Sequence, residues 1–366
     1  MAEAVDAPFD RPDVGFNSLK GWTWVGCYGG YYLQADLLAD FEHGFFTRQW
    51  QGRGPQQLAG YVSAGITVHR LTQVHGATVL PASQCKLEPW PQADGLISDR
   101  GGQSLWVCGA DCTPVLIADR RSGRVAACHA GWRGVAARIL PKAIGQLEAA
   151  GSRRDDLVVA LGPAISGECY QVESHVTAQV AQGLVGRQPA GPGGSPGPGS
   201  NTRGSAALQS TVPGSTAPGA THPGETAPGA TPLDASRLDA SAWDASAWDA
   251  SALEPTPWQP ITPGSPALGS QGPNPAALDG GELATPELAE LRQTLFQRGA
   301  LLADHQPGHD RLDLRAATRL QLELCGLGPE QISSCPLCTA SEELLFHSWR
   351  RDQVRAVQWS GIVSQA

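Results

Sequence analysis

The chain has 366 residues, a formal net charge of −9 and nine cysteines. It holds no run of eighteen apolar residues, which excludes a membrane-spanning helix, and its acidic balance argues against a nucleic-acid-binding surface. The opening stretch, MAEAVDAPFDRPDVGF, is acidic without an apolar run, so it reads as neither a secretory signal nor a basic transit peptide. An odd, sparse set of cysteines reads as reduced thiols in a cytoplasmic protein.

In chain order, an alternating apolar stretch from Ile66 to Val74 predicts a strand ending at His75, with Gly76 marking a turn. Residues 104–130 hold two β-type runs, Val115–Ala118 and Val125–Cys128, joined by Arg120-Arg121-Ser122-Gly123, a hairpin signal. With the turn centred between Arg121 and Ser122, Pro114 faces His129 and Cys112 lies diagonal to it, a separation of about 7–8 Å between Cα atoms. His75, Cys112 and His129 would then offer two imidazoles and a thiolate, a set that suits zinc with one open position. On spacing alone Cys112 fits a small buried hydrophobe as well. Asp111 beside it is either a carboxylate that moves protons or orients a ligand, or a strand-end turn residue. Gly131-Trp132-Arg133-Gly134 precedes a helix expected over Val135–Ala149, with Val135, Ile139, Ile144 and Leu147 as its apolar stripe and Pro141 kinking or shortening it. Glycines and an arginine at a helix start suit an anion, or simply turn the chain tightly.

Residues 186–286 differ in kind. They hold 33 Gly or Pro in 101 positions, eight acidic residues against three Arg, and a five-residue repeat over Leu233–Ala252. Such a stretch buries too little apolar surface to offset its ordering entropy, so it reads as a disordered, low-complexity insertion. Trp243 and Trp248 recur at a period of five, but four short copies are too few for a solenoid. The flanks, 1–185 and 287–366, read as one discontinuous catalytic domain rather than two. Cys335-Pro336-Leu337-Cys338 has no second C-x-x-C to complete a four-Cys zinc site and reads as structural or site-lining. His43, His69, His175, His305, His309 and His347 read as surface or core residues; Pro307 and Gly308 prevent a helix from presenting both His305 and His309.

Gln73-Val74-His75-Gly76, Ala93-Asp94-Gly95-Leu96, Ala110-Asp111-Cys112-Thr113-Pro114 and His129-Ala130-Gly131-Trp132-Arg133-Gly134 together resemble the polyphenol oxidase/laccase-like family, whose members are described as purine nucleoside phosphorylases with adenosine deaminase activity and, in some cases, as peptidoglycan editing factors. Leu161–Ile165 with Tyr170-Gln171-Val172, Leu312-Asp313-Leu314 with Gln321-Leu322, and Cys338-Thr339 with Trp349-Arg350-Arg351-Asp352 are similar to further family blocks, in order on both sides of the insertion. The resemblance implies an α/β (α+β) fold: a single layered α-β-β-α domain with mixed sheets, similar to the catalytic domain of cytotoxic necrotizing factors. It also implies His75, Cys112 and His129 as ligands of a zinc ion, with copper as the substitute in vitro. Phe46-Thr47-Arg48 is similar to the family's strand-end arginine. The chain departs from the family just after it, where Gln49-Trp50-Gln51-Gly52 replaces a Gly-Gly turn.

The function this implies is phosphorolysis of adenosine, inosine or methylthioadenosine to free base and sugar 1-phosphate, with deamination of adenosine, a transferase and a hydrolase in one site. Purine nucleosides and phosphate are the expected partners, with neither nucleic acid nor membrane. The catalytic candidates are Cys112, His129 and Asp111; the substrate and phosphate candidates are Arg48, Arg133 and Gly131. A Cys112–His129 amide hydrolase acting on cell-wall precursors is the alternative. A copper polyphenol oxidase ranks below both, because no His-x-His pair occurs and the one methionine is Met1. A non-enzymatic scaffold tethered by the insertion is a further reading.

Overall fold

Apolar runs become strands buried on both faces where layers cover each side of a sheet. The computed structural model describes residues 19–27, 30–64, 66–85, 88–185 and 286–365. Its strands are β1 (Trp22–Cys27), β2 (Gly30–Ala35), β3 (His43–Phe46), β4 (Thr67–His69), β5 (Val79–Pro81), β6 (Gly95–Ile97), β7 (Gln103–Gly109), β8 (Thr113–Asp119), β9 (Val125–Ala130), β10 (Leu157–Leu161), β11 (Gln171–Glu173), β12 (Leu301–Leu302), β13 (His309–Leu312), β14 (Ile332–Ser334) and β15 (Gln358–Val363). The helices are α1 (Pro55–Val62), α2 (Trp132–Ala136), α3 (Ile139–Ala149), α4 (Ser174–Val185), α5 (Pro286–Gln297), α6 (Leu314–Leu324) and α7 (Trp349–Asp352).

Two six-stranded mixed sheets run β1-β2-β3-β15-β7-β4 and β14-β10-β8-β9-β6-β5, and a small third sheet runs β11-β13-β12. Side-chain alternation sorts the layers. In β8, Leu116 and Ala118 join Leu33, Phe45, Leu105 and Val107 of the first sheet, so the two large sheets share one apolar seam. Val115 and Ile117 turn the other way, onto Ile139, Ala143 and Leu147 of α3 and Leu314 and Ala317 of α6. On the outer face of the first sheet, Tyr32, Phe46, Trp106 and Trp359 pack with Leu58 and Ala59 of α1. This is the expected α-β-β-α layering. Each fully buried Leu, Ile or Phe in these seams is worth about 1.5–3 kcal/mol.

The insertion expected over 186–286 lies outside the described residues except for Pro286, which opens α5. Leu288 and Leu295 of α5 pack in the same cluster as Val180 and Leu184 of α4, so chain from both sides of that stretch fills one core.

Two expectations change. The helix expected over Val135–Ala149 is two helices, and the break falls at Arg138, whose φ is 65°. Pro141 does not cause it: it is the third residue of α3, in a first turn where its missing N–H leaves nothing unsatisfied. The strand expected from Ile66 to Val74 is only β4, three residues long, and His75 sits in a bend with φ 60° rather than at a strand end. Beyond β4, the Gln73 amide takes the place of a neighbouring strand. Its Nε2 donates to Cys108 O at 2.7 Å, and its Oε1 accepts from Cys108 N at 2.8 Å.

Candidate metal centre

β8 and β9 pair in the expected register, Thr113 opposite Ala130 and Pro114 opposite His129. Cys112, one residue before β8, is therefore diagonal to His129. His75 arrives from the loop between β4 and β5. The Nδ1/Nε2 and Sγ atoms these three residues offer lie within 4.8 Å of one another. The two imidazole rings stand edge to face, with centroids 4.8 Å apart. His129 is buried, Cys112 half-buried and His75 exposed, so the set is open on the His75 side.

Asp94, just before β6, organises the two histidines. It is fully buried. Its Oδ1 accepts from His129 Nδ1 at 2.9 Å and from His75 N at 2.9 Å. Its Oδ2 accepts from Gly76 N at 2.6 Å and from Val74 N at 3.3 Å, and its own carbonyl accepts from His129 N at 2.7 Å. One carboxylate thus fixes a strand residue and the backbone of a bend that holds a left-handed histidine, a conformation rare for any non-glycine residue. Burial works to raise the Asp94 carboxyl, but these donors outweigh it and hold it below the usual range. Because the carboxylate only accepts, His129 Nδ1 donates, and Nε2 is left as the ligating nitrogen.

Burial would raise the Cys112 thiol, yet His129 and His75 bring it down to about 6. Burial would lower the His129 imidazole, yet Cys112 and Asp94 hold it up at about 10. With no ion present the two groups pull each other toward thiolate and imidazolium; a bound cation would take the place of the Nε2 proton and leave a neutral imidazole as donor. A thiolate with two imidazoles, one braced by a buried carboxylate, fits a borderline-soft divalent ion. Gly131 leaves room for it: a Cβ there would lie 3.0 Å from Cys112 Sγ and 3.4 Å from His75 Cδ2.

Asp111 also has a left-handed backbone, φ 100°. Its Oδ1 accepts from Thr339 Oγ1 and its Oδ2 from Arg350 N, each at 2.7 Å. Both oxygens are engaged in tying the 339–350 segment beside Cys112. Arg133 is exposed and stacks on the Trp132 ring at 4.4 Å. The helix that follows Gly131 has five residues, too short for the strong terminal dipole expected of a long one. Arg48, in a 3₁₀ turn after β3, donates from Nη1 to Glu343 O at 2.8 Å and from its backbone to Leu345 O at 2.7 Å. Trp50 fills the turn that replaces Gly-Gly, buried against Phe46 and Tyr61. Cys335 is buried between the sheets. Cys338 accepts from Ser166 N at 3.3 Å, beside Thr339.

A family model described as multi-copper polyphenol oxidoreductase laccase matches residues 56–195 and 284–364. This chain belongs to that family. A protein named purine nucleoside phosphorylase from Synechocystis sp. is 34% identical over 349 residues, 94% of this chain and 97% of that protein. Another of that name from Pseudomonas aeruginosa is 40% identical over 128 residues, 35% of this chain and 50% of that protein. Among solved structures, YlmD from Geobacillus stearothermophilus superposes with a TM-score of 0.57 at 19% identity, covering 94% of this chain and 99% of that one, a likeness of fold. The "multi-copper" of the laccase family's description meets one group of three donors among the described residues, enough for a single ion.

Sequence reasoning left Asp94 without a role. Its signal was present in the Ala93-Asp94-Gly95-Leu96 block, but only the fold brings it to residues 18 to 35 positions away. Tyr170 and Arg350 likewise fall within family blocks, with no local pattern that marks either as a site residue. The Tyr170 hydroxyl is pushed up by burial and by the Cys112 thiolate, and pulled back by Arg350 and Arg133.

Proposed function

We propose that this chain is a zinc-dependent purine nucleoside phosphorylase that also deaminates adenosine at the same centre, in one discontinuous domain of residues 1–185 and 287–366. The observation that carries this reading is the convergence of His75, Cys112 and His129 under Gly131, with Asp94 bracing both histidines. The relative named purine nucleoside phosphorylase, matched over nearly the whole of both chains, supplies the substrate class. Nine free thiols suit a cytoplasmic setting.

Phosphorolysis passes through an oxocarbenium-like state in which negative charge builds on the departing base and a phosphate oxygen approaches the anomeric carbon. His75, Cys112 and His129 would hold the zinc, which when bound supplies Lewis acidity and water activation; copper would suit the same donors in vitro. Asp94 keeps the His129 ring in one orientation and tautomer. Asp111 holds the 339–350 segment against the centre. The backbone at Gly131, without a side chain, admits substrate close to Cys112, and Arg133 and Arg48 are the cations available to phosphate.

The test is adenosine turnover with and without phosphate, for the wild type and Cys112→Ala. Phosphate-dependent adenine release and phosphate-independent inosine formation are expected in the wild type, and neither in the variant. Absence of both from the zinc-loaded wild type refutes the reading. The thiolate–imidazolium pair of Cys112 and His129 favours a second reading, a metal-free Cys–His amide hydrolase. Amidase activity that survives complete chelation would establish it.

A further inference from the structure

We infer that Arg350, held over Tyr170, is the main cationic side of an anion subsite beside the donor set, with Arg133 as a second positive charge, and that this subsite takes the phosphate co-substrate. The inference rests on the phosphorylase reading above and gives it a residue that the sequence left without a role.

Arg350 is anchored next to the centre by its backbone, whose N–H donates to Asp111 Oδ2 at 2.7 Å. Asp111 adjoins Cys112, so the start of the Arg350 side chain is fixed close to the thiolate. The guanidinium then lies over the Tyr170 ring, 4.9 Å from its centroid, and Nη1 donates to Gln171 O at 2.9 Å. An aromatic ring holds a guanidinium flat without occupying its in-plane donors. Among the described residues nothing else bonds Nε and Nη2, a forked pair suited to two oxygens of one phosphate. Arg133, in α2 two residues after Gly131, adds a second positive charge that acts on the Tyr170 hydroxyl. Among the described residues, neither Arg350 nor Arg133 pairs with a carboxylate. The next arginine, Arg351, is paired with Asp352 at 2.7 Å. Two guanidiniums with no carboxylate partner among the described residues can take an anion from solution, and both are exposed to receive one.

The reaction balances at this position. An oxygen of hydrogen phosphate bonds to the anomeric carbon while the bond from that carbon to the purine nitrogen breaks. The electron pair leaves with the base, and the proton of the phosphate makes the base neutral. Arg350 and Arg133 hold the phosphate; they supply no proton.

The experiment uses the full-length, zinc-loaded protein as wild type, Arg350→Ala and Arg350→Lys, with phosphate and nucleoside varied independently. Truncating the side chain leaves the backbone bond to Asp111 in place. The expected result for Arg350→Ala is a rise in KM for phosphate of about 10- to 100-fold, the loss of a charged hydrogen-bonding group, with KM for nucleoside and bound zinc unchanged and partial recovery in Arg350→Lys. An unchanged KM for phosphate in Arg350→Ala overturns the inference. If the wild type releases no base with phosphate, the phosphorylase reading itself has failed. The subsite is then judged by calorimetric titration with inorganic phosphate: binding lost in Arg350→Ala upholds it, and equal or absent binding overturns it.

Discussion

Replacing Asp94 with Asn changes one oxygen to an amino group at constant shape, so its consequences can be worked out from the four donors around that carboxylate. If the new amino group takes the Oδ1 place, it faces His75 N and His129 Nδ1, both 2.9 Å away. His129 must then carry its proton on Nε2 in order to accept at Nδ1, which blocks the nitrogen left for the metal. If it takes the Oδ2 place, it opposes Gly76 N at 2.6 Å and Val74 N at 3.3 Å, and the bend that presents His75 opens. Either orientation damages one histidine. Loss of such an outer partner typically weakens metal affinity by about 10- to 100-fold, or about 1.4–2.8 kcal/mol at 1.4 kcal/mol per tenfold. Competition for zinc against a chromogenic chelator reads this directly, without turnover, and near-UV circular dichroism checks that the variant is folded. A folded Asp94→Asn protein whose zinc affinity stays within about twofold of wild type would refute the claim that Asp94 organises the centre.

Further outcomes follow from the same geometry. In chelated protein, alkylation of Cys112 rises with pH as the thiol ionises, with a midpoint near pH 6, and zinc protects it; Cys128, whose thiol burial pushes up to about 12, stays unmodified. Peptide mapping separates the two, and a Cys112 midpoint at the ordinary thiol value of about 8.5 contradicts the pairing with His129. Gly183→Ala places a Cβ 2.5 Å from Ala136 O and 2.7 Å from its Cα, against backbone that cannot rotate away. Overpacking of about 1–3 kcal/mol outweighs the roughly 1 kcal/mol of helix propensity that alanine adds. Urea unfolding should show lower stability, and a midpoint above wild type rejects the predicted clash between α2 and α4.

The centre was legible where its geometry is local. The hairpin of β8 and β9 turns within a few residues, so placing its turn at Arg121–Ser122 set the diagonal of Cys112 and His129. Legibility failed where a distant side chain decides. Gln73 closes on the backbone of Cys108, 35 residues away, and so ends strand pairing that the apolar pattern would have continued. The break at Arg138 carries no proline or glycine and is supported from outside. Buried Gln321 donates to Val135 O at 2.9 Å, the carbonyl that also accepts from Arg138 N, and Arg138 Nη1 donates to Gly183 O at 3.3 Å. Pro141, the visible breaker, fell where a helix tolerates it. Asp94 was visible as a residue but not as a partner, since nothing near it in sequence says which histidine it will meet.

The position of β15 bears on how the protein is made. It lies between β3 and β7, with Ser360 pairing Phe45 on one side and Val107 on the other. A ribosome delivers β3 and β7 long before Gln358–Val363 emerges. Until then that sheet exists as a three-stranded piece and a two-stranded piece, each with an open edge of the kind that recruits other chains. Asp111 waits as well, because the Thr339 hydroxyl and the Arg350 amide it accepts from are translated more than two hundred residues later. A nascent chain thus holds all three metal-donor residues and Asp94 early, yet gains the Thr339 and Arg350 contacts of Asp111 only near completion. A translational stop before residue 358 is expected to yield aggregates rather than a weakened enzyme.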